Sequence, residues 1–150
     1  MKIVLQRVRK ASVTINDKTT GSIGNGLLLL IGIHTSDTDA EASFLADKCS
    51  ELRVFPDENG KMNRSLIDVN GAALVVSQFT LLGDCSKGRR PSFIRAAPPE
   101  KGEALYRFFV ARLKMSVKDV QTGIFGAMMQ VELINDGPVT LIIEREHGLG

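Results

Sequence analysis

From Met129 to Ile143 apolar and polar positions alternate. Met129, Val131 and Leu133 share one side of a period-two pattern, and Val139, Leu141 and Ile143 resume it after "NDGP". Such alternation marks a strand buried on one face, so the pattern predicts two closing strands joined by a four-residue hairpin connection, Asn135 to Pro138. The start of the chain reads similarly. Lys2 to Ile15 alternates imperfectly, "NDKTT" offers a turn, a short strand ends over Gly21 to Ile23, and "GNG" turns into the apolar run Leu27 to Ile33. A β-meander ending in a buried strand is expected there.

The spacing becomes helical twice. Thr38-x-x-Glu41 forms a capping box ahead of Phe44, Leu45, Lys48 and Leu52, with the lysine stem able to lie along that face. In "EKGEALYRFFVARLKM" Leu105, Phe108, Phe109 and Leu113 share a face, and the basic residues gather towards the C-terminal end, where the helix dipole favours them. Between these segments "FPDENGKMNRSL" holds a turn flanked by short extended pieces. "DVNG" then turns into an apolar strand, Ala72 to Phe79, and a long loop runs from Gly83 to Pro99. Hairpin-linked groups of strands with two main helices predict an α+β fold. Its sheet is expected to be largely antiparallel or barrel-like, in a single domain over residues 1–150, rather than a parallel βαβ sheet.

Composition narrows the class. Hydrophobic residues at 43% and charged residues at 24% are ordinary for a globular chain and argue against disorder. The longest apolar run, Gly26 to Ile33, is far short of the roughly 20 residues that cross a bilayer. The N-terminus lacks an h-region and a small-residue cleavage site, so a cytoplasmic protein without membrane attachment is expected. Cys49 and Cys85 lack CxxC spacing and read as unpaired thiols. His34 and His147 are too few to suggest a metal cluster. A net charge of +2 says little, but its distribution says more. From Cys85 to Pro99 there is no acidic residue, while Lys87, Arg89, Arg90 and Arg95 all fall there.

Three stretches carry chemistry or its absence. The glycines of "GSIGNG" precede a strand rather than a helix, so they read as turns and not as a phosphate loop. Gly137-Pro138 admits two readings: a rigid turn, or a segment presenting backbone carbonyls to a ligand, with the cis peptide that about 5–6% of X-Pro bonds adopt. "SQFTL", Ser77 to Leu81, also admits two: a strand edge with ordinary hydroxyls, or, with the cationic loop behind it, a site for a polyanionic substrate. Ser77 or Thr80 as a nucleophile needs a base within hydrogen-bond reach, and two histidines offer little. No HExxH or GxSxG occurs, and Glu146-His147 reads as a solvated end.

Taken together, "SQFTL" at 77–81, "KGRRPSF" at 87–93, "TGIFGAMM" at 122–129 and "GPVT" at 137–140 resemble the D-aminoacyl-tRNA deacylases. The motifs fall in the family's order and the resemblance runs from Met1 through the terminal strand. It implies hydrolysis of the ester between a D-amino acid and the 3′ adenosine of tRNA, by a homodimer with its sites at the dimer interface. It implies that Ser77, Gln78, Phe79 and Thr80 line the catalytic wall and that amides near Phe79 and Thr80 hold the oxyanion. The substrate's own 2′-hydroxyl would assist water, with no metal or cofactor. Gly137 and Pro138, joined by a cis bond and held by Arg7, would enter the neighbouring protomer's site and exclude L-amino acids. Mischarged glycyl-tRNA would pass this filter. Lys87, Arg89 and Arg90 would bind tRNA. Two alternatives stand beside this: an esterase with Thr80 as nucleophile, and a non-catalytic tRNA-binding module.

Overall fold

The apolar run that begins at Leu27 is buried on both faces in the computed structural model, which describes residues 1–148. Leu27, Leu29 and Ile31 point into a core shared with the helices. Leu28 and Leu30 point the other way, into a second cluster with Val8, Val13, Leu74 and Val76. A strand with no polar face is the expected sequence of a sheet covered on both sides.

The elements, in chain order, are β1 (Lys2–Ile15), β2 (Lys18–Ile23), β3 (Gly26–Gly32), α1 (Asp39–Glu51), β4 (Phe55–Pro56), β5 (Met62–Arg64), β6 (Ala72–Ser77), a 3-10 turn (Phe79–Leu82), α2 (Pro99–Lys114), β7 (Val120–Thr122) and β8 (Gln130–Glu144). The fold is α+β: two helices pack on one face of a strongly curved sheet, whose other face wraps around the second cluster. The pairs β1–β2, β1–β3 and β1–β8 are antiparallel. The barrel-like curl brings Gly21 of β2 against Gln121 and Thr122 of β7. The sheet is nonetheless mixed, because β3–β6 and β6–β7 are parallel and each pair is bridged by a crossover containing one of the helices.

Several expectations change here. No meander forms, because β2 and β3 both pair with β1, β2 with Ala11–Ile15 and β3 with Lys2–Val8. The "GNG" stretch is a bend that carries the chain from one partner segment to the next. The closing hairpin is absent too. β8 is one strand that pairs with β1 on both sides of "NDGP", with Asn135 opposite Val8 and Thr140 opposite Gln6. Alternation on both sides of a break cannot distinguish a hairpin from a bulge, since the two halves look alike in sequence. The strand expected to end at Phe79 stops at Ser77. β7 is short and was not anticipated.

The Thr38 capping box forms as expected: the Glu41 carboxylate accepts from the Thr38 amide at 2.6 Å, and the Thr38 hydroxyl accepts from the Ala40 amide. The face it sets differs from the one the spacing suggests. Ala42, Leu45, Ala46 and Cys49 are buried, whereas Phe44 is exposed beneath the Arg145 guanidinium, 3.9 Å from its ring centre. Small residues face inward because α1 lies close to α2, where Arg112 binds Asp47 through two hydrogen bonds of 2.8 Å. On α2, Leu105, Phe109 and Leu113 are buried as expected, and Phe108 is exposed while Tyr106 takes its place inside. Burial pushes the Cys49 thiol up to about 12, so it is an inert core residue, and Cys85 is exposed and unpaired.

Candidate active site

Strand β6 ends where the chemistry-bearing residues begin. After Ser77 the chain turns, anchored by the Gln78 amide donating to the Ile31 carbonyl at 2.7 Å, and winds into the 3-10 turn. Gly32 makes this possible, because a Cβ at that position would stand 2.4 Å from Leu82 and 3.0 Å from Leu81. In the turn, the Leu81 amide donates to the Gln78 carbonyl and the Gly83 amide to the Thr80 carbonyl. The first amides of a helix have no carbonyl behind them, so the Phe79 and Thr80 N–H groups have no acceptor within the turn. Two adjacent backbone donors, two and three residues after Ser77, are therefore left without a partner in the turn.

Phe79 belongs to a cleft of about 620 Å³ walled also by Ser77, Gln78, Phe93, Phe125 and Met129. Phe79 meets Phe93 edge to face, with ring centres 5.3 Å apart. Among the described residues no Asp, Glu, His, Lys or Arg lines it. Thr80 stands just outside, exposed, and its hydroxyl accepts from the Gln78 side-chain amide. Neither His34 nor His147 reaches the cleft; their ring nitrogens lie against Ser36 and Glu41. Phe93 and Phe125 were not expected at the site from sequence, and Met129 was expected only as a strand position. An aromatic in a loop has no sequence periodicity to reveal which way it points.

The cationic loop is closed at its base. Asp84 and Ser92 exchange backbone hydrogen bonds of 2.7 and 2.9 Å, and Arg95 lies 3.5 Å from the Asp84 carboxylate. The Ser86 hydroxyl and amide, with Arg95, hold the Asp84 carboxyl below the usual range. Lys87, Arg89 and Arg90 are exposed in the loop that this pairing closes.

Gly137 and Pro138 lie elsewhere. Between the pairs Val8–Asn135 and Gln6–Thr140, Arg7 alone faces four residues of β8, so the segment from Asp136 to Val139 bulges from the sheet. Its Gly137–Pro138 bond is cis. The Arg7 side chain is only 12% exposed; Nε donates to the Asp136 carbonyl at 2.9 Å and Nη1 to the Val54 carbonyl at 2.6 Å. Gly137 has φ of 134°, and a Cβ there would meet Arg7 Nη2 at 2.9 Å, so glycine is required twice over. A larger hollow of about 710 Å³ lies beside Asp136, between Phe55, Asn70 and Lys118, and contains none of the residues Ser77 to Thr80.

Within one chain the bulge and the cleft do not meet. Ser77 pairs with Ile31, which pairs with Ile3, whereas the bulge is level with Arg7. None of Asp136 to Val139 lines the cleft.

The model of the family described as D-Tyr-tRNA(Tyr) deacylase matches residues 4–144. The chain belongs to this family. Curated relatives agree: a D-aminoacyl-tRNA deacylase of Shouchella clausii is 53% identical, covering 97% of this chain and 100% of its own. That of Halalkalibacterium halodurans is 56% identical over 96% and 99%. Among solved structures, one titled c-Myc DNA Unwinding Element Binding Protein superposes with a TM-score of 0.92 at 42% identity, covering 97% of this chain and 99% of that one. A second, titled as a probable eukaryotic D-amino acid tRNA deacylase, has a TM-score of 0.82 over 95% and 97% of the two chains. At 19% identity it is a likeness of fold. The curated relatives carry the name of a hydrolase, and Ser77 and Gln78 are the only polar residues lining this chain's cleft at the end of β6 among the described residues.

Proposed function

We propose that the chain is a D-aminoacyl-tRNA deacylase that cleaves the ester joining a D-amino acid to the 3′ end of tRNA, in the cleft beside Ser77, Gln78, Phe79 and Thr80. The observation that carries this reading is a cleft with no titratable side chain next to two amides without helical acceptors. Such a site suits a substrate that is already activated and brings its own proton acceptor. The terminal ribose 2′-hydroxyl assists the attacking water, and the Phe79 and Thr80 amides take up the oxyanion. One such donor is worth about 10²–10³ in rate, and correct positioning corresponds to effective molarities of roughly 10⁵–10⁸ M, so the scheme needs no metal or cofactor.

The remaining parts follow the same reading. Two copies form a homodimer in which the Gly137-Pro138 bulge of one chain closes the cleft of the other. Its backbone, clamped by Arg7, occupies the space an L side chain would need. Rigid backbone rejects better than a side chain that can swing aside. Lys87, Arg89 and Arg90 hold the phosphates of tRNA in the cytoplasm, where the whole chain acts as one domain in proofreading. Support for a Thr80 acyl-enzyme is lacking, since no base lies within reach of its hydroxyl among the described residues.

The test is hydrolysis of D-tyrosyl-, L-tyrosyl- and glycyl-tRNA by purified protein in the presence of chelator. The D and glycyl esters should be cleaved and the L ester spared. Absence of D-ester hydrolysis, or equal rates on D and L, overturns the proposal.

A further inference from the structure

The bulge that carries Gly137 and Pro138 has lost its ladder. Opposite it β1 supplies one residue, so the polar backbone groups from Asp136 to Val139 must find partners elsewhere. Arg7 takes the Asp136 carbonyl on one side. On the other side the partner is Asn135, the last residue paired before the break. Its Oδ1 accepts from the Val139 amide at 2.9 Å, and its Nδ2 donates to the Thr140 hydroxyl at 2.7 Å. Gln6 Nε2 donates to the same hydroxyl at 3.3 Å, which ties the far end of the bulge back to β1. One carboxamide thus spans the base of the projecting segment, joining the residue where β8 leaves the ladder to the two residues where it returns.

We propose that Asn135 is a positioning residue for stereochemical selection, its carboxamide setting how far Gly137 and Pro138 project from the sheet. This inference rests on the reading of the bulge as the wall that excludes L-substrates. Exclusion by a clash depends steeply on distance, so a base that opens and closes would let the wall retreat and the L side chain enter. Arg7 restrains the bulge through Asp136, before the Gly-Pro pair, and Asn135 restrains it through Val139 and Thr140, after the pair. Both sides must be held for the pair to keep its height.

The chemistry of the carboxamide selects the variants. Asn135→Ala removes both bonds. Asn135→Asp keeps them, because a carboxylate accepts from the Val139 amide and also from the Thr140 hydroxyl once its proton turns round. Thr140→Val keeps the shape and removes the hydroxyl. For each variant, kcat/KM is measured separately on D-tyrosyl- and L-tyrosyl-tRNA, with thermal melting recorded alongside. The ratio of L to D hydrolysis should rise about tenfold in Asn135→Ala, the scale of one to two lost hydrogen bonds, rise less in Thr140→Val, and return towards wild type in Asn135→Asp. Should Asn135→Ala fail to fold, Thr140→Val carries the test. An unchanged ratio in the folded variants, or equal losses on D and L esters, overturns the inference. Wild-type protein that does not discriminate D from L would instead overturn the reading beneath it, so the two failures are distinguishable.

Discussion

Thr80 offers a test that turns on one oxygen atom. Its hydroxyl accepts from Gln78 and has no base beside it among the described residues, whereas its backbone amide has no acceptor within the turn. If the amide does the work, Thr80→Ala should lower single-turnover hydrolysis of D-tyrosyl-tRNA by less than about tenfold, while loss of a true nucleophile costs several orders of magnitude. Glu41 gives a second test, in stability. Burial alone would raise its carboxyl, but hydrogen bonds from Thr38, and from His147, more than reverse this and bring it from 4.5 to about 2. A depressed carboxyl stabilises the fold above its unfolded value and loses that contribution as pH falls through the folded one. The melting-temperature gap between wild type and Glu41→Gln should therefore be full above pH 4.5 and close towards pH 2, as followed by circular dichroism. A gap independent of pH would mean the charged cap contributes nothing. The box itself was legible, because its spacing is local. The buried face of α1 was not, because it depends on which residues α2 allows near.

Among the elements, the loop from Gly83 to Pro98 and strand β8 do contrasting work. The loop lifts three cations clear of the molecule with no carboxylate paired to them in the described residues. Charges of this kind bind phosphate without reading the amino acid. Replacing Arg89 and Arg90 with Glu should therefore raise KM equally for D-tyrosyl- and glycyl-tRNA and flatten its salt dependence, measured by steady-state deacylation at several salt concentrations. Unequal effects would show that the loop senses the aminoacyl group. Strand β8 acts through geometry, since its bulge turns a short motif out of the ladder while both halves stay paired to β1.

For the molecule as a whole, the separation of bulge and cleft has a direct consequence. If each site needs both, no single chain can supply it, and activity should follow dimer concentration in sedimentation-checked assays. β8 offers a surface for this, because its outer edge is unpaired and Ile134, Leu141 and Ile142 are exposed along it. Mixing a chain defective in the cleft wall, Gln78→Ala with Phe79→Ala, with a chain defective in the bulge, Gly137→Ala, should restore D-specific hydrolysis after subunit exchange. Each mixed dimer then holds one intact pair. A fully active monomer would overturn the arrangement.

What the sequence determined by itself was local or periodic: the buried strand at Leu27, the Thr38 cap, three of the four residues read as the apolar face of α2, the cationic loop, and four short motifs whose order carries the family. These depend on neighbours within a few residues, so one chain suffices to read them. Only the tertiary structure decided that β2 and β3 share one edge of β1, that two parallel crossovers exist, and that "NDGP" is a bulge rather than a hairpin. Each of these is a choice of partner across the sheet, and hydrogen-bond partners distant in sequence leave no trace in period or composition. The same holds for the site. That Phe93 packs against Phe79 in the wall of a cleft without titratable groups, and that Arg7 and Asn135 grip the bulge from opposite ends, depends on where β1 meets β8 and where the loop folds back.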